Sequence, residues 1–280
     1  MESRIVFLGT GGDHHVVNKQ ERASAGIIIQ FEGYQFHIDP GPGSLAKLKE
    51  FGINPRETTA LMISHSHINH SNDANVVLSA MTLNGMDKRG VLICSPSLVN
   101  GTDKIRPMIP AHYQSFVERI ILPEPDKRIG IENMEIQTLK TLHSDPYGLG
   151  FKFYTPEFVL TYVGDTTYHS ELLPQYDKTD ILVLNVVHPF GHKSKINLTS
   201  YDAVKIINKV KPRLTILTHF GRKLLAVDPV MEAREISRQT MSQVLAATDG
   251  MVISPSYYSA SSRQKTLQSY SQQQRDAVTD

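Results

Sequence analysis

The chain has 280 residues, 40% of them hydrophobic, which is enough for a sizeable core in one large domain or two small ones. Its formal net charge of +1 gives no global electrostatic reason to expect binding to nucleic acid or to an anionic membrane. The single cysteine, Cys94, excludes an internal disulfide and is compatible with a reducing cytosol.

The N-terminal residues lead directly into a strand predicted over 4–8, without the longer apolar region and cleavage site of a signal peptide. No apolar run approaches the roughly 20 residues that a membrane-spanning helix requires. We therefore expect a cytoplasmic protein that has no membrane partner.

Glycine-containing turns separate the predicted elements in the first part of the chain. The first strand ends in the turn Gly9-Thr10-Gly11-Gly12, which would either let backbone amides approach a ligand or join two strands tightly. Strands are predicted over 25–31 and 34–38, with Glu32-Gly33 between them as in a hairpin. Ser44 is predicted to cap the helix that follows.

Three histidines fall within the stretch Ile63-Ser64-His65-Ser66-His67-Ile68-Asn69-His70. The apolar run 60–63 predicts a buried strand before them, and the apolar spacing after them predicts a helix over 69–81. His65 and His67 point the same way in an extended backbone, and His70, at the helix start, can face the same point. Neutral imidazoles that converge in this way are typical ligands of a transition metal. The stretch therefore predicts a metal site rather than a polar surface loop.

Other side chains that can bind a metal follow later strands. His143 follows a strand predicted over 136–142, Asp165 follows one over 158–163, and His219 follows one over 214–217. Asp39 has the same position after the strand 34–38. Because each follows the carboxyl end of an apolar strand, we expect them at one rim where the loops converge.

The remaining segments complete a pattern of strand-rich halves that each carry helices. Residues 82–130 are predicted to be a less regular covering segment or a solvated connection, with a strand over 91–94 and a short helical piece over 112–119. Helices are predicted over 201–210 and 228–247, and a last strand over 251–254. From Tyr258 the chain is rich in Ser and Gln, so we divide it into a domain over 1–257 and a flexible tail over 258–280.

The ordered ligand set resembles the signature of the metallo-β-lactamase superfamily, His-x-His-x-Asp-His followed by a distant His, a distant Asp and a final His. Here the corresponding residues are His65-Ser66-His67-Ile68-Asn69-His70, His143, Asp165 and His219. The resemblance spans about residues 4–254. It implies an α/β (α+β) fold, an αββα sandwich of two mixed β-sheets with outer helices and with two metals at one edge of the sheets.

The resemblance also implies a role for each residue. The positions of His65, His67 and His143 hold the first metal in the family, and Asp165 bridges both metals. The second metal is held by the positions of His70 and His219, together with the helix-start acid, which is Asn69 here. Asp39 is expected to orient the histidine loop from behind. Zinc is the expected metal at both sites, with manganese or iron as alternatives.

Two short segments resemble the phosphodiesterase branch of the superfamily, which includes ribonuclease Z: Phe7-Leu8-Gly9-Thr10-Gly11-Gly12 and Leu217-Thr218-His219-Phe220. This implies a metal-dependent hydrolase in which a metal-activated hydroxide attacks a phosphodiester of a small molecule, a nucleotide or a nucleic acid. Alternatives are a hydrolase of carboxylic esters, lactones or amides, and a metal-bound nucleic-acid-binding scaffold with little turnover. Homo-oligomerisation is left open.

Two departures from ribonuclease Z bear on the activity. Asn69 replaces the usual aspartate, which predicts a second metal that binds more weakly, unless Asn69 simply caps the helix. Where ribonuclease Z has a catalytic histidine, this chain reads Ile196-Asn197-Leu198-Thr199. The resemblance therefore argues against ribonuclease Z activity itself, and His188 or His192 is the candidate to protonate the leaving oxygen.

Overall fold

A computed structural model describes residues 3–103 and 105–259 of the chain. Its strands are β1 (Arg4–Phe7), β2 (Ile27–Phe31), β3 (Tyr34–Ile38), β4 (Thr58–Ile63), β5 (Val91–Cys94), β6 (Arg119–Ile121), β7 (Arg128–Ile131), β8 (Met134–Lys140), β9 (Leu149–Tyr154), β10 (Val159–Tyr162), β11 (Ile181–His188), β12 (Leu198–Thr199), β13 (Leu214–Thr218), β14 (Val244–Ala246) and β15 (Val252–Ile253). Its α-helices are α1 (His14–Lys19), α2 (Ser44–Glu50), α3 (Ile68–Ser71), α4 (Ala74–Thr82), α5 (Pro96–Asn100), α6 (Ala111–Gln114), α7 (Ser200–Val210), α8 (Arg222–Ala226) and α9 (Pro229–Thr240). Short 3₁₀ turns cover Pro55–Glu57, Ser170–Tyr176 and Pro255–Tyr258.

The strands form two mixed sheets that pack face to face. The first sheet has the order β15-β1-β2-β3-β4-β5-β6, and the second has the order β14-β13-β11-β10-β9-β8-β7, with β12 beside β11. Aromatic and aliphatic side chains fill the space between the sheets, among them Phe7, Phe36, Phe151 and Phe153. Helices α2 and α4 cover the outer face of the first sheet, and α7 and α9 cover that of the second. The predicted αββα sandwich is confirmed.

Parallel pairing brings the loops of the site together. Strands β3, β4 and β5 are parallel in one sheet, and β10, β11 and β13 are parallel in the other. Strand β8 runs in the same direction as β10, since both are antiparallel to β9. The carboxyl ends of these strands therefore lie at common sheet edges, and the loops after them face one another.

Two predicted helical features differ in the structure. The helix predicted over 69–81 is two helices, α3 and α4, because Asp73 turns between them. Its carboxylate accepts hydrogen bonds of 2.9 Å from the backbone amides of Gly43 and Ser44. Ser44 is not the cap of α2: the cap is Gly43, and the Ser44 hydroxyl donates to the carbonyls of Ala25 and Gly41. A side chain 29 residues away in sequence caps this helix, which local patterning does not reveal.

The C-terminal helix and the segment 82–130 also need correction. The helix predicted over 228–247 ends at Thr240, where Met241 takes a left-handed conformation with φ of 51°. Residues 244–246 form β14 instead, because they extend the second sheet beside β13. In the segment 82–130, the strand predicted over 91–94 is present as β5, and the helical piece predicted over 112–119 is the shorter α6. The segment also supplies α5, β6 and the start of β7, which the sequence did not predict.

The last described residues are tied to the domain. Ser256 and Ser259 both donate hydrogen bonds to Glu157. The division of the chain at 257 remains a prediction, and the tail predicted over 258–280 lies outside the described residues from 260 onward. Within the described residues, every helix is too short or too polar to cross a membrane.

His37 is expected to make the stability of the fold dependent on pH. This side chain on β3 is fully buried and donates from Nε2 to the Ala25 carbonyl at 3.0 Å. Burial lowers the pKa of His37 from 6.5 to about 4, because the charged form is disfavoured more than the hydrogen bond favours it. In the unfolded chain His37 is protonated below about pH 6.5, whereas in the folded chain it stays neutral down to about pH 4. The free energy of unfolding therefore falls as the pH drops from 6.5 to 4.

Urea unfolding of the metal-free protein at pH 7 and pH 4.5 measures the effect. His37→Gln, whose amide can still donate to Ala25, should lose about 2 to 3 kcal/mol less unfolding free energy over this pH range than the wild type. The other histidines are common to both proteins and cancel in the comparison. Equal losses in the two proteins would contradict the assignment to His37.

Candidate metal centre

The first group of ligand atoms lies at the ends of β4, β8 and β10. His67 Nδ1 is 3.0 Å from His65 Nε2 and 3.2 Å from His143 Nε2. Asp165 Oδ2 lies 4.0 Å from His65 Nε2 and 3.7 Å from His143 Nε2. His65 and Asp165 are buried, while His67 and His143 are half-buried. Four ligand atoms thus surround one point that is open to solvent on one side.

The second group shares Asp165 with the first. His70 Nε2 lies 3.4 Å from Asp165 Oδ2, and His219 Nε2 lies 3.5 Å from Asp165 Oδ1. The two histidine nitrogens are only 2.8 Å apart, and all three side chains are buried. Within each group the ligand atoms lie within 4.8 Å of one another, as one ion requires.

The outer hydrogen bonds of the histidines decide which ring nitrogens face inward. His70 Nδ1 lies 2.8 Å from Asp39 Oδ2, and His143 Nδ1 lies 2.6 Å from the Ile196 carbonyl. Both partners only accept, so each Nδ1 carries a proton. His67 Nε2 lies 3.2 Å from the Ser144 hydroxyl, which leaves Nδ1 for the cluster. The inward positions are therefore available to a metal.

Bare nitrogen lone pairs at these distances repel one another unless a cation lies among them. His67 Nδ1 faces His65 Nε2 and His143 Nε2 at hydrogen-bonding distance with no proton assigned to the contact. Neutral imidazoles with one shared carboxylate are a donor set that suits zinc and its neighbours. The residues therefore fit the divalent metals that the fold implies.

The pKa shifts of the clustered side chains also favour a bound cation. Burial alone would raise the pKa of Asp165, but the surrounding histidines, His219 and His70 foremost, hold it well below its usual range. Burial opposes charge on His70, yet Asp165 and Asp39 together raise its pKa to about 10. Burial and the neighbouring rings lower the pKa of His65 well below 6.5. A cation is thus favoured beside Asp165.

Asp39 contacts His70 of the second group directly and His65 of the first group through Ser64. It accepts from the Ser64 amide at 2.7 Å, from the Ser64 hydroxyl at 2.8 Å and from the Tyr162 hydroxyl at 2.6 Å, in addition to His70. Because Ser64 gives its proton to Asp39, the Ser64 oxygen accepts from His65 Nδ1 at 2.9 Å, which leaves His65 Nε2 bare. Asp39 has φ of 55°, a strained conformation that these contacts maintain.

Asp145 holds the opposite side of the histidine loop, and the sequence prediction did not include it. Its Oδ2 accepts from the Ser66 amide at 3.0 Å, the Ser66 hydroxyl at 2.7 Å and the Ser97 hydroxyl at 2.8 Å. These hydrogen bonds outweigh the effect of burial and lower the pKa of Asp145. The only signal in the sequence is its position two residues after His143.

Asn69 lies inside α3 and is not its cap, because the cap position belongs to His67. Its Nδ2 donates to the Gly12 carbonyl at 2.9 Å and lies 3.0 Å from His219 Nε2. The carbonyl fixes the orientation of the amide, since the amide oxygen would repel it. Asn69 therefore presents a hydrogen-bond donor, and not its oxygen, towards His219.

The glycine turn at the N-terminus supports the His219 loop and does not offer its amides to a ligand. The Gly12 amide donates to the Phe220 carbonyl at 3.0 Å, and the Phe220 amide donates to the Thr10 carbonyl at 2.7 Å. A Cβ atom on Gly12 would lie closer than 3.0 Å to the carbonyl and to the ring Nδ1 of His219. His219 itself has φ of 63°. Only glycine permits this close approach.

Among the described residues, His188 and His192 belong to neither ligand group. Their rings stack at 6.4 Å, and within the described residues neither makes a hydrogen bond or an ion pair with the ligand histidines or Asp165. Burial, with help from His192 and Lys223, lowers the pKa of His188. In the segment that replaces the ribonuclease Z histidine, the Ile196 carbonyl orients His143 and Thr199 caps α7.

A cleft of about 760 Å³ adjoins the open side of the first group. Its lining includes His67, Ser144, Asn100 and the exposed ring of Tyr147. This volume is in the range of small-molecule sites.

The sandwich fold and the two ligand groups at its edge define a metallo-hydrolase of the metallo-β-lactamase fold. Residues 34–220 match the family described as beta-lactamase superfamily domain. A protein of Methanocaldococcus jannaschii, named only as uncharacterized, is 33% identical over 255 residues, which cover 90% of this chain and 95% of that protein. The chain belongs to the beta-lactamase superfamily.

Two further similarities concern the branch and the fold. The ribonuclease Z of Pyrobaculum neutrophilum is 23% identical over 258 residues, covering 79% of this chain and 87% of that enzyme. The structure of the metallo-β-lactamase fold protein YhfI from Bacillus subtilis aligns with a TM-score of 0.75 at 20% identity, covering 90% of this chain and 99% of that one.

Proposed function

We propose that this protein is a metal-dependent phosphodiesterase. The observation that carries the proposal is the pair of ligand groups that share one carboxylate, Asp165, at the edge of the sandwich. Two metals about 3.5 to 4 Å apart are the usual arrangement for displacement at phosphorus. The similarity to ribonuclease Z supports a phosphodiester as the substrate class.

The first metal would be held by His65, His67, His143 and Asp165, and the second by His70, Asp165 and His219. Zinc suits this nitrogen-rich set best, and manganese or iron are the alternatives. When bound, two such ions supply a water of lowered pKa and neutralise charge that develops on the attacked phosphoryl group.

The protein's own residues have three tasks. Asp39 and Asp145 hold the histidine loop from opposite sides, through Ser64 and Ser66. The cleft beside His67 accepts one side of the substrate. A leaving oxygen needs a proton donor. Burial lowers the pKa of His188 and so disfavours its protonated form, and we assign donation to His192, whose ring is exposed.

The size of the cleft favours a small phosphodiester or the end of a nucleic acid over a long duplex. Its volume of about 760 Å³ admits one nucleotide-sized group, and Tyr147 offers an exposed ring for stacking. Cytoplasmic location and homo-oligomerisation stay predictions.

An activity panel with metal control tests the function. The protein is stripped with a chelator, reloaded with zinc, manganese or iron, and assayed with bis-p-nitrophenyl phosphate, cyclic nucleotides, short RNA, p-nitrophenyl esters and lactones. We expect phosphodiester hydrolysis that is lost on stripping and restored by one of these metals. Ester or lactone turnover alone would replace the substrate class, and a reloaded protein that binds RNA without turnover would support the scaffold alternative.

The Asn69→Asp variant is expected to bind the second metal about 10-fold more tightly than the wild type. The substitution replaces an amide donor 3.0 Å from His219 Nε2 with an anionic oxygen, which favours a cation there. Metal titration by calorimetry measures both sites. Asn72→Asp adds the same charge at an exposed position nearby and serves as the control. A wild type that already holds two metals with equal affinity, unchanged by Asn69→Asp, would contradict the charge argument.

A further inference from the structure

A small cavity lies behind the second ligand group. It has a volume of about 30 Å³ and is lined in part by Ser24, Asn69, Asn185 and His219. One water needs roughly 10 to 15 Å³ of such space together with two to four polar partners. The cavity therefore has room for at least one water molecule.

Three of the lining side chains have a buried polar atom without a hydrogen-bond partner among the residues that the structure describes: Ser24 Oγ, Asn185 Oδ1 and His219 Nδ1. All three residues are buried, with exposed fractions of 4%, 2% and 8% in that order. A buried polar atom without a partner destabilises the fold, because it has lost its hydrogen bond to water. Three of them around one cavity indicate an unassigned binding site.

The hydrogen-bonding type of two of these atoms follows from their neighbours. His219 Nε2 faces the Asn69 amide nitrogen, a donor, at 3.0 Å and therefore acts as the acceptor of that contact. The proton of neutral His219 is therefore on Nδ1, which is a donor. Asn185 uses both of its N–H groups, on the Tyr162 hydroxyl at 3.1 Å and on Asp165 Oδ1 at 2.7 Å. Its Oδ1 is therefore an acceptor.

We propose that an ordered water molecule occupies this cavity, accepts from His219 Nδ1, donates to Asn185 Oδ1 and completes its shell with the Ser24 hydroxyl. Three partners are the typical number for a buried water. The water fixes the tautomer and the orientation of His219, and it links this ligand through Asn185 to Asp165. Ser24 is thus a positioning residue for the second metal, and this last step alone depends on the proposed function.

The water and the tautomer are tested on the metal-free protein. A crystal structure should show density in the cavity within hydrogen-bonding distance of all three side chains. The ¹⁵N chemical shifts of His219 should report a proton on Nδ1. An empty cavity or a proton on Nε2 would overturn the proposal, whether or not the protein proves to be a hydrolase.

The role of Ser24 is tested by metal titration. Ser24→Val fills the cavity and expels the water, and loss of such support behind a ligand typically weakens metal binding about 10- to 100-fold. We expect this loss at the second site only. Ser24→Ala keeps the space for the water and two of its three partners. Its loss of affinity for the second metal should therefore be smaller than that of Ser24→Val, and the variant should fold as the wild type does.

Thr215→Val provides a matched control. Thr215 is fully buried on β13 and also has a hydroxyl without a partner, but it does not line the cavity. The control should leave both metal affinities unchanged. Second-site affinity that is the same in Ser24→Val, Ser24→Ala and the wild type would overturn the positioning role.

Discussion

Substituting His67 with alanine should reduce hydrolysis by at least about 10³-fold and remove the first metal, while the chain stays folded. A rate loss of this size corresponds to about 4 kcal/mol of transition-state stabilisation, which is the contribution that we expect from the metal. Within the described residues, the hydrogen-bonding partners of the His67 ring are His65, His143 and Ser144. Its backbone carbonyl, which accepts from the His70 amide, is retained in alanine. Truncation therefore removes a ligand without exposing the core.

Metal content, hydrolysis rate and thermal unfolding of the variant are measured together. His112→Ala, at an exposed histidine on α6 outside both ligand groups, is the control and should match the wild type in all three. Substantial hydrolysis by a folded, metal-stripped sample, or by His67→Ala without its first metal, would refute metal-dependent hydrolysis at this site.

The Gly12→Ala variant should lose the second metal and at least about 10²-fold in rate, although Gly12 has no ligand atom. The added Cβ would overlap the backbone and ring of His219. The two segments cannot separate freely, because the Gly12–Phe220 and Phe220–Thr10 hydrogen bonds join them. Overpacking of this kind typically costs 1 to 3 kcal/mol of stability, so the variant should fold but unfold at a lower temperature.

Gly130→Ala is the matched control, since a Cβ on Gly130 meets no atom within 4 Å. Calorimetric titration should find one metal per chain in Gly12→Ala and two in the control. Two metals of wild-type affinity in Gly12→Ala would show that the close approach to His219 does not maintain the second site.

The grouping of the candidate ligands could be predicted from the sequence, because each follows an apolar strand and parallel strands bring their carboxyl ends to one edge. His65, His67 and His70 add a local spacing that few other loops share. The supporting residues have no such signal. Asp145 accepts a hydrogen bond from Ser66, which is 79 positions away in the sequence. Ser24 and His219 are far apart in the sequence and line the same cavity. Such contacts exist only after the sheets have packed.

Contacts between segments that are distant in the sequence also explain the errors in the predicted elements. Residues 244–246 have the composition of a helix end, but an open sheet edge beside β13 makes extended backbone more favourable. The helix predicted over 69–81 is interrupted because Asp73 caps another helix. In both places tertiary hydrogen bonds outweigh local propensity.

Asp39 makes the two ligand groups thermodynamically dependent on each other. One carboxylate orders His70 directly and His65 through Ser64. An ion that fixes His70 also fixes the carboxylate that His65 needs, so the entropy of ordering Asp39 is lost only once for both ions. Loading should therefore be cooperative, with a coupling free energy that by linkage is the same whichever ion enters first. The first ion to bind would then raise the affinity of the site that is still empty.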